Sequence, residues 1–283
     1  MNRTLMAARR LRHAPGLAKL ESLWRLLRPV YRRLADPFGR GVRIELGGRP
    51  VRVPVELLST NPDWSRYEYE TFTALGAWLD ATPGRLTMLD IGCSFGVLTS
   101  FAMQTSPRLE VLAFDSDLVS LRALEAVVPV SCHARLRRVD GLLGSEHRSG
   151  FSLDAAVAAT LRRLPDLPPR DAIMRSGFLC FGEAAAATTP QHRLDSLLGD
   201  LAFPGPVLLK CDVEGAELLV LDGASALLRR VRPSLLLSVH PPLLPRFDRR
   251  LEDVAAFLQH HGYTWRVLAR DHEEHWWCEP SSR

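Results

Sequence analysis

The chain has 283 residues, 46% hydrophobic and 24% charged, a composition typical of a globular protein with a substantial core. Its net charge is +4, and no stretch approaches the roughly 18 consecutive apolar residues that a membrane-spanning helix needs. The five cysteines are scattered and odd in number, which favours reduced thiols over a disulfide framework or a zinc site. We expect a cytoplasmic protein without a signal peptide.

Positive charge is concentrated at the N-terminus. Residues 1–43 contain eleven Lys and Arg but only two acids, Glu21 and Asp36. Apolar residues within 17–34 recur at helical spacing around Pro29, which predicts a kinked helix or two short ones. The helix either packs on its own domain or contacts anionic lipid at the inner face of a membrane. No aromatic residues are interleaved with a basic groove signature, so we expect no nucleic-acid partner.

The next segments lead into the main domain. Residues 42–54 alternate between apolar and polar around a glycine pair, which predicts a β-hairpin. Apolar and aromatic residues over 64–80 predict a helix. We therefore expect an N-terminal extension over residues 1–64 and a main domain over residues 65–283.

A glycine loop follows the first strand predicted in the main domain. The apolar run that begins at Leu86 ends at Asp90, and a helix is predicted from Val97 onward. Glycines permit a tight turn and let a nucleotide approach the backbone closely. The residues expected to contact such a ligand are Asp90 at the strand end and, in the loop, Gly92, Cys93, Ser94, Phe95 and Gly96.

Two further strands end in acidic residues. The strand at 109–114 is followed by Asp115, which can accept hydrogen bonds from both ribose hydroxyls. A third strand from Leu136 ends near Asp140, where it faces the adenine end of such a pocket. The three strand ends predict a nucleoside site, with a plain βαβ unit as the alternative. Residues 142–203 form a long insertion, which we expect to act as a lid or substrate wall.

An acidic turn follows the strand predicted before Lys210. Asp212, Glu214 and Glu217 lie within six positions around Gly215, and a single helix is predicted over 216–228. In an open α/β sheet, ligands bind beyond the carboxyl ends of the strands. Three acids are also a ligand set that suits Mg²⁺, although we expect no metal here.

The remainder of the chain completes the sheet. His240 follows the strand at 233–239 and, with its ordinary pKa near 6.5, joins Asp212, Glu214 and Glu217 as a candidate base. A helix is predicted over 251–261, followed by an antiparallel strand pair at 264–268 and 274–278 at the sheet edge. His272, His275 and the adjacent tryptophans Trp276 and Trp277 either line an acceptor pocket or pack on the edge strands.

With these pieces placed, the main domain resembles the FkbM family of class I methyltransferases. The family's Asp-x-Gly-Ala-Asn-x-Gly motif stands at residues 90–96, with Cys93 and Ser94 in place of Ala and Asn. Its Ala-Phe-Glu-Pro motif stands at 113–116 with Asp115 for Glu. Two further motifs, Leu-Asp-x-Leu-Leu and Lys-x-Asp-x-Glu-Gly-x-Glu, stand in full at residues 194–198 and 210–217.

The resemblance implies a doubly wound α/β fold with a mostly parallel, seven-stranded, Rossmann-like sheet and an antiparallel final strand. It also implies S-adenosyl-L-methionine as cofactor and methylation of a hydroxyl on a sugar, glycan or other natural product. Two other functions stay open: a membrane-surface enzyme that methylates a lipid-linked glycan, and a non-catalytic nucleoside-binding module. The oligomeric state is not indicated.

Overall fold

The computed structural model describes residues 29–30, 32–61, 63–145, 152–176 and 189–281. Most of the predicted basic helix at 17–34 lies outside these ranges, although residues 29–30 and 32–35 are helical. The chain divides into two compact units, Met1–Tyr69 and Glu70–Arg283. Within the described ranges, no helix combines the length and hydrophobicity required to cross a membrane.

Eleven strands are found in the described ranges. They are β1 (Val42–Leu46), β2 (Arg49–Val53), β3 (Leu86–Ile91), β4 (Leu109–Asp115), β5 (Leu136–Asp140), β6 (Leu142–Leu143), β7 (Gln191–His192), β8 (Val207–Asp212), β9 (Ser234–Val239), β10 (Tyr263–Arg270) and β11 (Glu274–Pro280).

The α-helices are labelled in chain order. They are α1 (Tyr69–Ala81), α2 (Val97–Thr105), α3 (Leu118–Val127), α4 (Leu153–Arg163), α5 (Pro169–Ala172), α6 (Leu194–Leu198), α7 (Glu217–Gly223), α8 (Ser225–Val231) and α9 (Leu251–His260). Short 3-10 helices cover Val55–Ser59, Val130–Arg135 and Leu244–Phe247.

The N-terminal unit contains the predicted hairpin. β1 and β2 pair antiparallel, and both residues of their turn, Gly47 and Gly48, have positive φ, as a two-residue hairpin turn requires. The helix predicted over 64–80 begins later, at Tyr69. Trp64 instead lies in a turn, where its buried indole N–H donates to the Leu57 carbonyl at 3.1 Å. That contact explains the later start, because it fixes the chain before the helix.

The main unit is built on a seven-stranded sheet of order β10-β11-β9-β8-β3-β4-β5. All pairs from β9 to β5 are parallel, and β11 runs antiparallel to both of its neighbours. The chain proceeds in one direction from β3 to β5 and in the other from β8 to β9. With right-handed crossovers, this reversal is the doubly wound, Rossmann-like arrangement that was predicted. It leaves a crevice between the ends of β3 and β8.

The core explains why these segments are strands. All six residues of β3 and all six of β9 are buried, because central parallel strands are covered on both faces and therefore form continuous apolar runs. β8 is buried from Val207 to Cys211, and only its last residue, Asp212, is partly exposed. Asp90, Lys210 and Asp212 thus lie at or near the carboxyl ends of the central strands β3 and β8.

The structure differs from the prediction in the helix after the acidic turn, and it describes only part of the predicted insertion. β6 and β7 pair parallel, while residues 146–151 and 177–188, including the alanine run of the sequence, lie outside the described ranges. The single helix predicted over 216–228 is two helices, α7 and α8. The Asp195 carboxylate accepts from the backbone N–H groups of Ala226 and Leu227 at 2.9 and 2.8 Å. This side chain caps α8 from outside, which permits the break at Ala224.

Candidate functional site

The loop after β3 is held against the end of β4. The backbone N–H groups of Gly92 and Cys93 both donate to the Phe114 carbonyl, at 2.9 and 3.0 Å. Gly92 has φ +70°, and a Cβ placed there would lie 1.7 Å from the Asp212 carbonyl oxygen. Only glycine therefore allows the loop to approach the acidic turn this closely.

Asp115 at the end of β4 organises the same loop. One carboxylate oxygen accepts the Ser94 N–H at 2.7 Å and the other accepts the Asp117 N–H at 2.8 Å. Ser94 has φ +49°, a left-handed conformation that the contact with Asp115 helps to hold. Burial raises the pKa of Asp115 to about 6, although both backbone hydrogen bonds act in the opposite direction. The carboxylate is therefore ionised at neutral pH.

The other loop residues contribute packing. Cys93 is buried, and burial, with the nearby Asp115 and Asp90 charges, raises the pKa of its thiol well above the ordinary value. Phe95 is half-buried. Gly96 has φ +84°, and a Cβ there would lie 1.8 Å from Leu124. Cys93 is thus an uncharged thiol that fills space in the loop.

Asp90 and Lys210 form a buried charge pair below the loop. Asp90 has no exposed surface, and its carboxylate accepts from the Thr99 hydroxyl. The Lys210 ammonium lies 3.3 Å from Asp90 Oδ1 and 3.5 Å from Asp212 Oδ2, and it donates to the Gly92 carbonyl at 2.6 Å. Lys210 therefore ties the glycine loop to the acidic turn. The prediction that Asp90 binds cofactor stays a prediction.

Asp140 lies at the end of β5, as predicted, and contacts two residues of α4. Its backbone N–H donates to the Thr160 hydroxyl at 2.8 Å, and its carboxylate pairs with Arg163. Its side chain is 1% exposed, and burial raises its pKa to about 6 although Arg163 lowers it. The structure therefore places Asp140 at the predicted strand end but attached to α4. Its contact with a cofactor is untested.

The acidic turn separates exposed carboxylates from a buried one. The side chains of Asp212 and Glu214 are 29% and 38% exposed, whereas that of Glu217 is fully buried. Glu214 has φ +54°, an unfavourable conformation for a residue with a side chain, of the kind that concentrates at functional sites. Glu217 Oε1 accepts the Gly215 N–H at 2.9 Å, so this carboxylate shapes the turn.

His240 lies between two carboxylates. Its Nδ1 donates to Glu217 Oε1 at 2.7 Å and its Nε2 to Glu273 Oε2 at 2.6 Å. Asp212 and Glu214 each lie 3.7 Å from Nε2. Burial alone lowers the pKa of His240, but the hydrogen bonds to Glu217 and Glu273 outweigh it and raise the pKa to about 11. Because both ring nitrogens of His240 bond to carboxylates, the imidazole is poorly placed to accept a proton, and its assignment as the base stays a prediction.

Glu273 contacts His240 but was not predicted from the sequence as a site residue. It precedes β11, which pairs antiparallel with β9 in a register that places Glu274 opposite Val239. Because Val239 precedes His240, this register brings Glu273 to the imidazole. The predicted antiparallel final strand was a signal for such a neighbour, but the register that identifies it is a tertiary feature.

The aromatic and histidine residues near the C-terminus are mostly packed. His275, Trp276 and Trp277 are buried, and Trp276 stacks on Trp265 with ring centroids 5.5 Å apart. His272 is exposed. The contacts of the tryptophans favour edge-strand packing over an acceptor pocket.

The described part of the chain contains two groups of three side chains whose possible metal-ligand atoms lie within 4.8 Å of one another. The first is Asp212, Glu214 and His240, and the second is Asp271, Glu273 and His275. In the first group, both His240 nitrogens already bond to Glu217 and Glu273. The expectation of no metal at the acidic turn stays a prediction.

Comparison with known proteins gives one domain match, in the second half of the chain. Residues 162–264, which include the acidic turn, match the model of the methyltransferase FkbM domain. No curated protein matches the chain.

Among solved structures, the chain is similar to a methyltransferase FkbM from Methylobacillus flagellatus KT, with 14% identity, a TM-score of 0.46, and coverage of 91% of this chain and 60% of that one. The chain thus spans 60% of that protein's length. A precorrin-6y C5,15-methyltransferase from Geobacter metallireducens GS-15 shows 13% identity, a TM-score of 0.42, and coverage of 76% and 89%. An O-methyltransferase from neocarzinostatin biosynthesis shows 10% identity, a TM-score of 0.35, and coverage of 99% and 75%.

These similarities to solved structures are distant, and the assignment depends on the domain match, whose segment carries the Lys210–Glu217 motif. Residues 162–264 are therefore similar to the FkbM methyltransferase domain.

Proposed function

We propose that this protein transfers a methyl group from S-adenosyl-L-methionine to a hydroxyl of a sugar, glycan or other natural product. The observation that carries the proposal is the contact between two loops at the sheet's switch point. The glycine loop with Asp115 lies on one side and the acidic turn with Asp212 on the other, and Lys210 touches both. A cofactor and an acceptor placed in this crevice would meet at the Asp212 side chain.

The glycine loop suits the nucleoside part of the cofactor. Each Asp115 oxygen accepts one backbone N–H and keeps further lone-pair capacity for a ribose hydroxyl. Ser94 retains a hydroxyl that can donate or accept, although it lacks one of the two polar functions of the asparagine in the family motif. The cofactor's sulfonium supplies the methyl group, and the protein supplies orientation.

Asp212 is the base that the geometry favours. An alcohol reacts better when its proton is taken by a positioned base, an effect of about 10²–10⁴-fold. Asp212 and Glu214 both have exposed surface, but Glu217 has none and both His240 nitrogens already donate to carboxylates. Asp212 is the last residue of β8 and the less exposed of the two candidates, which favours it over Glu214.

The acceptor can be sought and the base tested together. Extracts of cells that express the wild type or Asp212→Asn are compared by mass spectrometry for a metabolite or glycan that gains one methyl group. With that acceptor, Asp212→Asn should lower kcat by about 10²–10⁴-fold and leave S-adenosylmethionine affinity near wild type. Asp200→Asn, at an exposed acid away from the crevice, is the control. Full turnover by Asp212→Asn would exclude Asp212 as the base and direct the next test to Glu214.

Membrane contact and non-catalytic nucleoside binding stay as alternative proposals. The basic segment 1–43 is the feature that favours the first, and sedimentation with anionic liposomes, with and without that segment, tests it. Cofactor binding without any methylated product would favour the second.

A further inference from the structure

We infer that the turn between β10 and β11 holds a divalent transition-metal ion of the Zn²⁺ or Mn²⁺ class through Asp271, Glu273 and His275. The inference does not rest on the proposed methyl transfer. The three side chains each place a ligand atom within 4.8 Å of the others. Asp271 and Glu273 lie in the turn and His275 at the start of β11, so no distant element has to move to assemble them.

The central observation is a buried nitrogen without a hydrogen bond. His275 has no exposed surface, and among the described residues its Nε2 has no hydrogen-bond partner. Glu273 Oε1 lies 3.4 Å away and Asp271 Oδ2 lies 3.8 Å away. A buried polar atom without a partner carries a free-energy cost, so an imidazole aimed at two carboxylates at these distances indicates a ligand between them.

The spacing fits an ion better than direct hydrogen bonds. Ligand atoms bound at about 2.0–2.2 Å in a tetrahedral shell lie about 3.4 Å from each other. The separation between His275 Nε2 and Glu273 Oε1 equals this value, and the Asp271 separation is a few tenths of an ångström longer. Two carboxylates also neutralise the charge of a divalent ion.

The surroundings of His275 match those of a metal-binding histidine. Its Nδ1 lies 3.3 Å from the Ser238 hydroxyl, and a partner on the second ring nitrogen typically orients the ring of a ligating histidine. When Nδ1 donates to Ser238, the Nε2 lone pair faces the carboxylates. The Asp271 side chain is 49% exposed, which gives an ion a path from solvent.

The mixture of one imidazole and two carboxylates selects the ion. Imidazole suits Zn²⁺ and other transition metals, whereas Mg²⁺ prefers oxygen ligands alone and usually keeps several waters. Glu273 also connects this site to the crevice, because its other oxygen accepts from His240 at 2.6 Å. An ion would therefore fix the carboxylate that holds His240.

The experiment is isothermal titration of chelator-treated full-length protein with ZnCl₂, MnCl₂ and MgCl₂, followed by thermal melting with each ion. We expect Zn²⁺ or Mn²⁺ to bind at one site and to raise Tm, since an ion that binds only the folded state stabilises it. Binding of Mg²⁺ alone, or of none of the three, would overturn the inference and leave the cluster as an ion-pair network.

Variants locate the site. His275→Gln should abolish binding, and Ser238→Ala should weaken it by about 10–100-fold. Because His275 is buried, Asp271→Asn at a half-exposed position provides a second ligand test if His275→Gln fails to fold. His260→Gln, at an exposed histidine of α9, should bind like wild type. Asp212→Asn should also retain binding, and loss in that variant with retention in Asp271→Asn would place the ion at the acidic turn and refute the inference.

Discussion

The contact between the glycine loop and the acidic turn can be tested with one methyl group. Gly92→Ala places a Cβ 1.7 Å from the Asp212 carbonyl oxygen and 2.8 Å from its carbon, at φ +70°. Gly84→Ala is a matched control, because Gly84 has φ +78° and no atom within 4 Å of the added Cβ. Both variants carry the same backbone cost, and only Gly92→Ala forces two backbones apart.

Comparison of the two variants separates the cost of the backbone conformation from the cost of the clash with Asp212. A left-handed conformation costs a residue with a side chain about 1–2 kcal/mol, so Gly84→Ala should lower the free energy of unfolding by that amount. Gly92→Ala adds an overpacking cost of about 1–3 kcal/mol. It should also lower S-adenosylmethionine affinity by about tenfold, which corresponds to about 1.4 kcal/mol, because the loop that we propose binds the cofactor is displaced.

Urea unfolding and isothermal titration measure the two quantities on the same preparations. Gly84→Ala should bind S-adenosylmethionine like wild type. If Gly92→Ala matches Gly84→Ala in both stability and affinity, the two loops do not constrain each other and the account of the crevice is wrong.

Three further predictions concern other charged groups of the main unit. The pKa of Asp115 is raised to about 6, so this carboxylate is ionised above that pH, and S-adenosylmethionine affinity measured by titration should fall as the pH decreases from about 7 to 5. Asp115→Asn should bind S-adenosylmethionine weakly and without that pH dependence. An affinity that does not change with pH would contradict a role for Asp115 in cofactor binding. Lys210→Met leaves the buried Asp90 charge uncompensated and should lower the free energy of unfolding, measured in urea, by about 3–5 kcal/mol. The control Arg137→Met, in an exposed ion pair, should lower it by less than about 1 kcal/mol. Equal losses would show that the buried pair of Lys210 and Asp90 is no more important for stability than the exposed one. Asp195→Ala removes the cap of α8 and should lower the free energy of unfolding by about 1 kcal/mol without changing S-adenosylmethionine affinity. A change in affinity would show that Asp195 acts on the crevice.

The sheet was predictable because its signals are local. The continuous apolar runs of β3, β8 and β9 each end at a polar residue, and the order of strands and helices leaves few topologies for an α/β domain. Asp115 and Asp212 were placed correctly at strand ends on this basis alone.

The missed features depend on contacts between distant residues. The break at Ala224 follows from a cap supplied by Asp195, which is 29 positions away in sequence, so helical periodicity could not reveal it. Glu273 reaches His240 through the β9–β11 register, and that register depends on how the strands pack. The hydrogen bonds to Glu217 and Glu273 raise the pKa of His240, which the ordinary pKa of the residue does not predict.

We expect the crevice between β3 and β8 to bind S-adenosylmethionine. Isothermal titration of the wild-type protein with S-adenosylmethionine tests it most directly, without knowledge of the acceptor. S-adenosylmethionine should bind at one site per chain at sub-millimolar concentration, and Gly92→Ala and Asp115→Asn should weaken this binding. No heat of binding from correctly folded wild-type protein at those concentrations would contradict it.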